Sequence, residues 1–139
     1  MPNIMDLLNI KNTHLTEEGM GFYSEMHVND FHKQPLGWLH GGATMAFAET
    51  IGSYMSYELV KDKGLVGVGQ AMSCQHLHPF AGDGILVAKG TLLHKGAKTH
   101  VWDMLFYDQG EHLIAHINFT VAIIQARPDQ IPKDMKVNF

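Results

Sequence analysis

The sequence predicts an α+β fold in which an antiparallel β-sheet wraps around one long central helix. Three observations carry that expectation. The stretch from Gly42 to about Val60 is long, rich in helix formers and apolar almost all round. Nearly everything after Gly64 alternates with period two in runs separated by short turns. No repeat, low-complexity tract or Pro/Gly/Ser linker divides the 139 residues, so residues 1–139 are expected to form a single domain.

The elements follow in order. Pro2 to Ile10 predicts a short helix, with Pro2 at its start and Ile4, Leu7 and Leu8 on one side. From Met20 to Val28 the period changes to two. Met20, Phe22, Met26 and Val28 share one face, and Tyr23, Glu25 and His27 the other, which is the pattern of a half-exposed strand. "NDFHKQPLGWLHGG" reads as loop. The central helix then has no polar side, so it is expected to be buried, and "KDKG" supplies its stop at Gly64. Leu65 to His78 reads as strand, "PFAGDG" as a turn, and Ile85, Val87, Thr91 and Leu93 as the alternating positions of the next strand. After "HKGAK", Trp102, Met104 and Phe106 alternate, and "DQGE" makes a tight hairpin. Leu113, Ala115, Ile117, Phe119, Val121 and Ile123 share one face of a final long strand. Short turns imply antiparallel pairing, and the apolar face of such a sheet needs a cover, for which the helix is the available element.

Composition removes several function classes. A formal charge of -4 leaves no basic footprint for nucleic acid. No apolar run reaches the length of a membrane span, and the N-terminus lacks the pattern of a secretion signal. The lone cysteine, Cys74, has no internal partner for a disulfide, which fits a reducing, cytoplasmic setting.

Glu49 stands out. It is the one carboxylate among the apolar residues from Gly41 to Tyr57, with Met45, Ala46, Gly52 and Ser53 at the neighbouring helical positions and no cation to pair with. A buried, unpaired carboxylate is costly, and such a cost points to a working site. "LHGGATMAFAETIGS" resembles the signature of hotdog-fold acyl-CoA thioesterases, in the branch similar to phenylacetate-pathway and aryl-CoA thioesterases. "LVGVGQ", the H-x-x-P beginning at His76 and "HKGAKTHVWDMLFYDQG" extend the resemblance over most of the chain.

The resemblance implies hydrolysis of an aryl- or medium-chain acyl-CoA. Glu49 would be nucleophile or general base, a choice the sequence leaves open. The Gly41 N–H at the helix N-terminus, assisted by the Gln34 amide, would hold the oxyanion. Ser53, one turn after Glu49, would position water or the acyl group, against the alternative that it bonds back to a helix carbonyl. His40 would touch the thioester region, against the alternative that it only caps the loop. His76 would lie near the acyl pocket, and Trp38 would narrow the acyl channel. Gly96 and Lys98 of "HKGAK" would meet the coenzyme A phosphates. The chain departs from its relatives at Ser73, where Asn is common, and near Ala97 or His78, where Arg is common, which leaves substrate identity open.

His76 and His78 form an H-x-H pair, but no Cys or Asp completes a metal set, and the reaction calls for no cofactor. Gly41 and Glu49 lie eight positions apart, about 12 Å along one helix. Both must come within roughly 3 Å of one carbonyl. The site is therefore expected to be shared by two antiparallel copies of the helix, an obligate homodimer, which relatives commonly pair into a homotetramer. Two rival functions are a hotdog hydratase or dehydratase, whose Asp-x-x-x-x-His pattern is missing, and an acyl-CoA-binding protein without turnover.

Overall fold

A computed structural model describes residues 1–131 and 139. The elements run α1 (Ile4–Leu8), β1 (Ile10–Leu15), β2 (Gly21–Val28), α2 (Gly41–Val60), β3 (Leu65–His76), β4 (Gly84–Lys95), β5 (Thr99–Tyr107) and β6 (Leu113–Gln125). The strands form one six-stranded sheet in the order β1-β2-β4-β5-β6-β3, antiparallel throughout. α2 lies mainly over β3 and β6. This is the hotdog architecture that the sequence predicts.

The core is the helix–sheet interface. Phe47, Ile51 and Met55 on α2 meet Trp102, Met104 and Phe106 of β5 and Ile117, Phe119 and Val121 of β6, all of them buried. Each such side chain removed from water contributes about 1.5–3 kcal/mol before the entropy of ordering it is subtracted. The alternation read in β5 and β6 is the alternation observed. α2 ends in a short 3-10 turn over Lys61–Lys63, closed by Gly64 in the left-handed region at φ 73°.

Several expectations are corrected. The first helix spans Ile4–Leu8 instead of Pro2 to Ile10, and of its three apolar side chains only Leu8 is buried, Ile4 being 61% exposed. Ile10 opens a strand, β1, that the periodicity hides. Asn12 adopts φ 53° and the pairing with β2 shifts register between Lys11 and His14, so side chains there do not alternate cleanly. Met20 lies outside β2 and is exposed, while Ser24 takes an inward position. In β4 the inward residues are Leu86, Ala88, Gly90 and Leu92, and Ile85, Val87, Thr91 and Leu93 point outward. The inward face is small because Gly90 sits opposite Phe22, whose ring occupies the space a side chain would need.

The last correction bears on function. Among the described residues α2 is covered mainly on one face. Thr44, Phe47, Ala48, Ile51 and Met55 are buried against the sheet, but Met45 and Glu49 on the other side are exposed in the single chain. Among the described residues, no helix is long and apolar enough to cross a membrane.

Candidate active site

The site begins in the loop before α2. Residues Lys33 to Leu39 close a tight hairpin, with Gly37 N–H donating to Gln34 C=O at 2.9 Å and Gln34 N–H to Trp38 C=O at 2.8 Å. Gly37 takes φ 87°, which glycine adopts without a Cβ penalty. Inside this hairpin the Gln34 Oε1 accepts the Leu36 N–H. A backbone N–H can only donate, so the oxygen of the amide is the end that is tied and its NH₂ is the end left over.

The first turn of α2 disposes of its donors one by one. His40 N–H goes to His32 C=O at 2.8 Å. Gly42 N–H goes to His40 Nδ1 at 2.8 Å, and Ala43 N–H to His40 C=O at 2.9 Å. Among the described residues the Gly41 N–H has no acceptor. Of the orphan donors that every helix start leaves, this one remains, at the positive end of a twenty-residue helix. His40 therefore acts as a cap through its Nδ1, which accepts the Gly42 N–H.

Gln34 and Gly41 open into the same pocket of about 310 Å³, together with Trp38, Thr44, His76 and Phe80. His76 explains why position 41 is glycine. A Cβ there would stand 2.7 Å from His76 Nε2, so any side chain would collide with the imidazole and cover the free N–H. Cys74 Sγ lies 3.4 Å from the same nitrogen, and burial pushes its thiol pKa up, which keeps it neutral. His78 also lines the pocket but turns away from His76. It bonds the Pro79 carbonyl at 2.8 Å and stacks on His112 with centroids 4.6 Å apart.

Glu49 is not in this pocket. It lines a second cleft of about 440 Å³, with Ser53 beside it and Ile4, Met5, Tyr54 and Tyr57 around it. Among the described residues its carboxylate has no hydrogen-bond or ion-pair partner. It rests over β3 where Gly69 has no side chain, and a Cβ on Gly69 would meet Glu49 Oε1 at 2.6 Å. Of the helix hydroxyls here, Thr50 is the one that bonds back, its Oγ1 donating to Ala46 C=O at 2.7 Å. Among the described residues the Ser53 hydroxyl makes no such bond.

One chain thus brings Gln34, Trp38, Gly41 and His76 together in one cleft and Glu49 with Ser53 in another. Gly96 and Lys98 line neither. They sit in the β4–β5 turn, where Gly96 N–H bonds Thr99 C=O and Lys98 C=O accepts from Ile123. Sequence reasoning passed over the Leu36 N–H, Gly69, Ile4 and Met5. A main-chain donor, a missing side chain and a neighbour forty or more positions away leave no periodic trace.

The thioesterase superfamily pattern matches residues 36–115. The Lactococcus lactis protein yhdA has a solved structure that is 33% identical, covers 90% of this chain and 100% of its own, and superposes with a TM-score of 0.86. A thioesterase enzyme of Staphylococcus aureus is similar at 34% identity, 86% and 97% coverage and a TM-score of 0.78. The 1,4-dihydroxy-2-naphthoyl-CoA hydrolase of Escherichia coli is 30% identical over 88% of this chain and 87% of its own length. This sheet order around one long helix accords with those matches: the chain belongs to the thioesterase superfamily and is a thioester hydrolase of the hotdog fold.

Proposed function

We propose that the protein hydrolyses aryl- or medium-chain acyl-CoA thioesters at a site shared by two chains. The observation that carries this is the separation, on one helix, of a Gly41 N–H and a Glu49 carboxylate that have no partners among the described residues and that open into different clefts. Two copies of α2 lying antiparallel would bring the donor of each against the carboxylate of the other. β3 supports that pairing, because it is a twelve-residue strand at the edge of the sheet, bonded to β6 on one side only. The uncovered face of α2 next to it supplies apolar surface for the same contact, as with exposed Met45.

In this arrangement the thioester oxygen lies between the Gly41 N–H and the Gln34 NH₂ of one protomer. Both are neutral donors, so they stabilise the tetrahedral oxyanion without neutralising the carboxylate nearby. Glu49 of the other protomer attacks the carbonyl carbon directly, forming a mixed anhydride and releasing the CoA thiolate. Alternatively it takes a proton from a water that attacks, and the same C–S bond then breaks. On the first route a water then opens the anhydride, releasing the free acid and restoring the Glu49 carboxylate. On either route the departing thiolate takes up the proton that the water gives, so that both end in free acid and CoA. Ser53, with its hydroxyl unspent, is placed to orient that water. The aryl-CoA substrate of the E. coli relative supports an aromatic acyl group here.

Subunit mixing tests the proposal. Glu49→Ala and Gln34→Ala chains, each inactive as a homodimer, are unfolded together, refolded and assayed by thiol release from a panel of acyl-CoAs. Half of the dimers formed would be mixed, and each would hold one intact site, so activity should return to about a quarter of wild type. No recovery from mixed dimers demonstrated by mass would place the whole site within one chain.

A further inference from the structure

We propose that α1, through Ile4 and Met5, is the wall that determines which acyl groups the cleft beside Glu49 accepts. The inference rests on Glu49 being the attacking or activating group. α1 has five residues, too few to persist as a helix unaided, and its C-terminal end is fastened at several points. Leu8 is buried in the core. The buried His32 accepts the Asn29 N–H on Nδ1 at 3.0 Å, so its proton is on Nε2, which donates to the Leu7 carbonyl at 3.0 Å. Asn9 exchanges bonds with His27, through its side-chain NH₂ and through its own carbonyl, each at 3.0 Å.

The free end of α1 is kept in shape by a reciprocal cap between Asn3 and Asp6. It reaches the cleft that holds Glu49, and what it offers there is apolar: Ile4 at 61% exposure and Met5 at 36%. A helix anchored this firmly and yet presenting its large side chains to water is explained by an apolar ligand that covers them. The cleft also identifies the ligand. The thioester carbonyl must lie within reach of the Glu49 carboxylate, and the atoms beyond it then meet Ile4, Met5 and Tyr54. A carboxylate joined to an apolar wall fits the acyl half of the substrate, while the coenzyme half lies outside.

Because both residues are exposed, they can be changed without opening the core. Met5→Trp narrows the cleft and Met5→Ala widens it, and each is assayed for kcat/KM on straight-chain acyl-CoAs from acetyl to dodecanoyl. Losing room for even one methylene changes discrimination by ~10-fold or more, so Met5→Trp should lower the long-to-short ratio by at least that factor. Met5→Ala should move the optimum to longer chains. An unchanged ratio, or an equal loss at all lengths, overturns the proposal. So does a change in dimer mass by sedimentation, which would make α1 a cover for a second copy of the chain. Glu49→Ala on the same panel separates the two ideas. If that variant is active the parent reading fails, and if it is inactive while the Met5 variants leave the ratio unmoved, only the role of α1 fails.

Discussion

At the N-terminal end of α2 the His40 and Gly42 N–H groups and the Gln34 side-chain oxygen are tied, whereas eight positions after Gly41 the Glu49 carboxylate has no partner among the described residues. The first region is finished within one chain. His40 caps, Gln34 is held by Leu36 and Gly41 is kept bare by His76, so the donors are aimed before anything binds. The second region is a carboxylate over a bare patch of β3, on a helix face where Met45 and Glu49 are exposed among the described residues. A preformed half next to an unfinished half is what a site completed by a second copy should look like.

The largest effect expected follows from the unfinished half. Glu49→Ala should remove at least ~10³-fold of turnover, the scale that covalent or general-base steps contribute, and should leave the thermal midpoint close to wild type because the side chain is exposed and has no partner among the described residues. The measurement is kcat on a good acyl-CoA alongside a thermal melt. Wild-type turnover in this variant would remove the carboxylate from the chemistry and, with it, the reason for contrasting the two regions.

A smaller effect sharpens the same contrast. Gly69→Ala places a methyl group where the Glu49 carboxylate now rests, and that carboxylate is the end of a flexible side chain that can swing away. The strand should fold, and kcat should fall about 10- to 100-fold through displacement of the reacting group by an ångström or so, with KM nearly constant. If Gly69→Ala instead unfolds the protein, the Phe119 ring, 3.0 Å from the new atom, is the tighter constraint. Glycine then serves packing at that position and not the carboxylate.

How much of this was legible beforehand depends on whether the signal was local. α2, β5 and β6 could be read because large apolar residues mark their inward positions, as Trp102, Met104 and Phe106 do. β1 could not, since the left-handed Asn12 breaks its alternation. The alternation in β4 did not show which face turns inward, because the inward one carries Ala88 and Gly90, while Ile85, Val87 and Leu93 face out. In the site, Glu49 announced itself by being a charge among apolar neighbours, and Gly41 by its place at a helix start. Its expected burial did not appear in one chain, and that is informative, because the sequence pattern carried information about a surface the single chain leaves open. Met5 and Gly69 gave no sign, for their closeness to Glu49 exists only once distant segments meet.

The smallest expected effect lies away from both halves, where α2 is pinned to the sheet. Ser56 is fully buried, and its Oγ accepts the Trp102 indole N–H at 2.8 Å. His100 Nδ1 lies 2.9 Å from the same oxygen and accepts the serine proton while the imidazole is neutral and protonated on Nε2. Burial, then the nearby Lys95 and His94, hold the His100 pKa below its ordinary value of 6.5. In the unfolded chain His100 takes up its proton more readily than in the folded one. Its contribution to stability is therefore complete above about pH 6.5 and is lost as the pH falls from there towards the depressed folded value. Melts between pH 7.5 and 5 should show the wild type losing more Tm than His100→Gln, which keeps an acceptor for Ser56 without titrating. The gap should be a few degrees, since about 1 kcal/mol moves the midpoint of a chain this size by roughly 2–8 °C. Parallel slopes in the two proteins would show that the pin is indifferent to protons. Activity at the two clefts should follow the same curve only as far as α2 loosens from β5, because neither Gly41 nor Glu49 touches the pin.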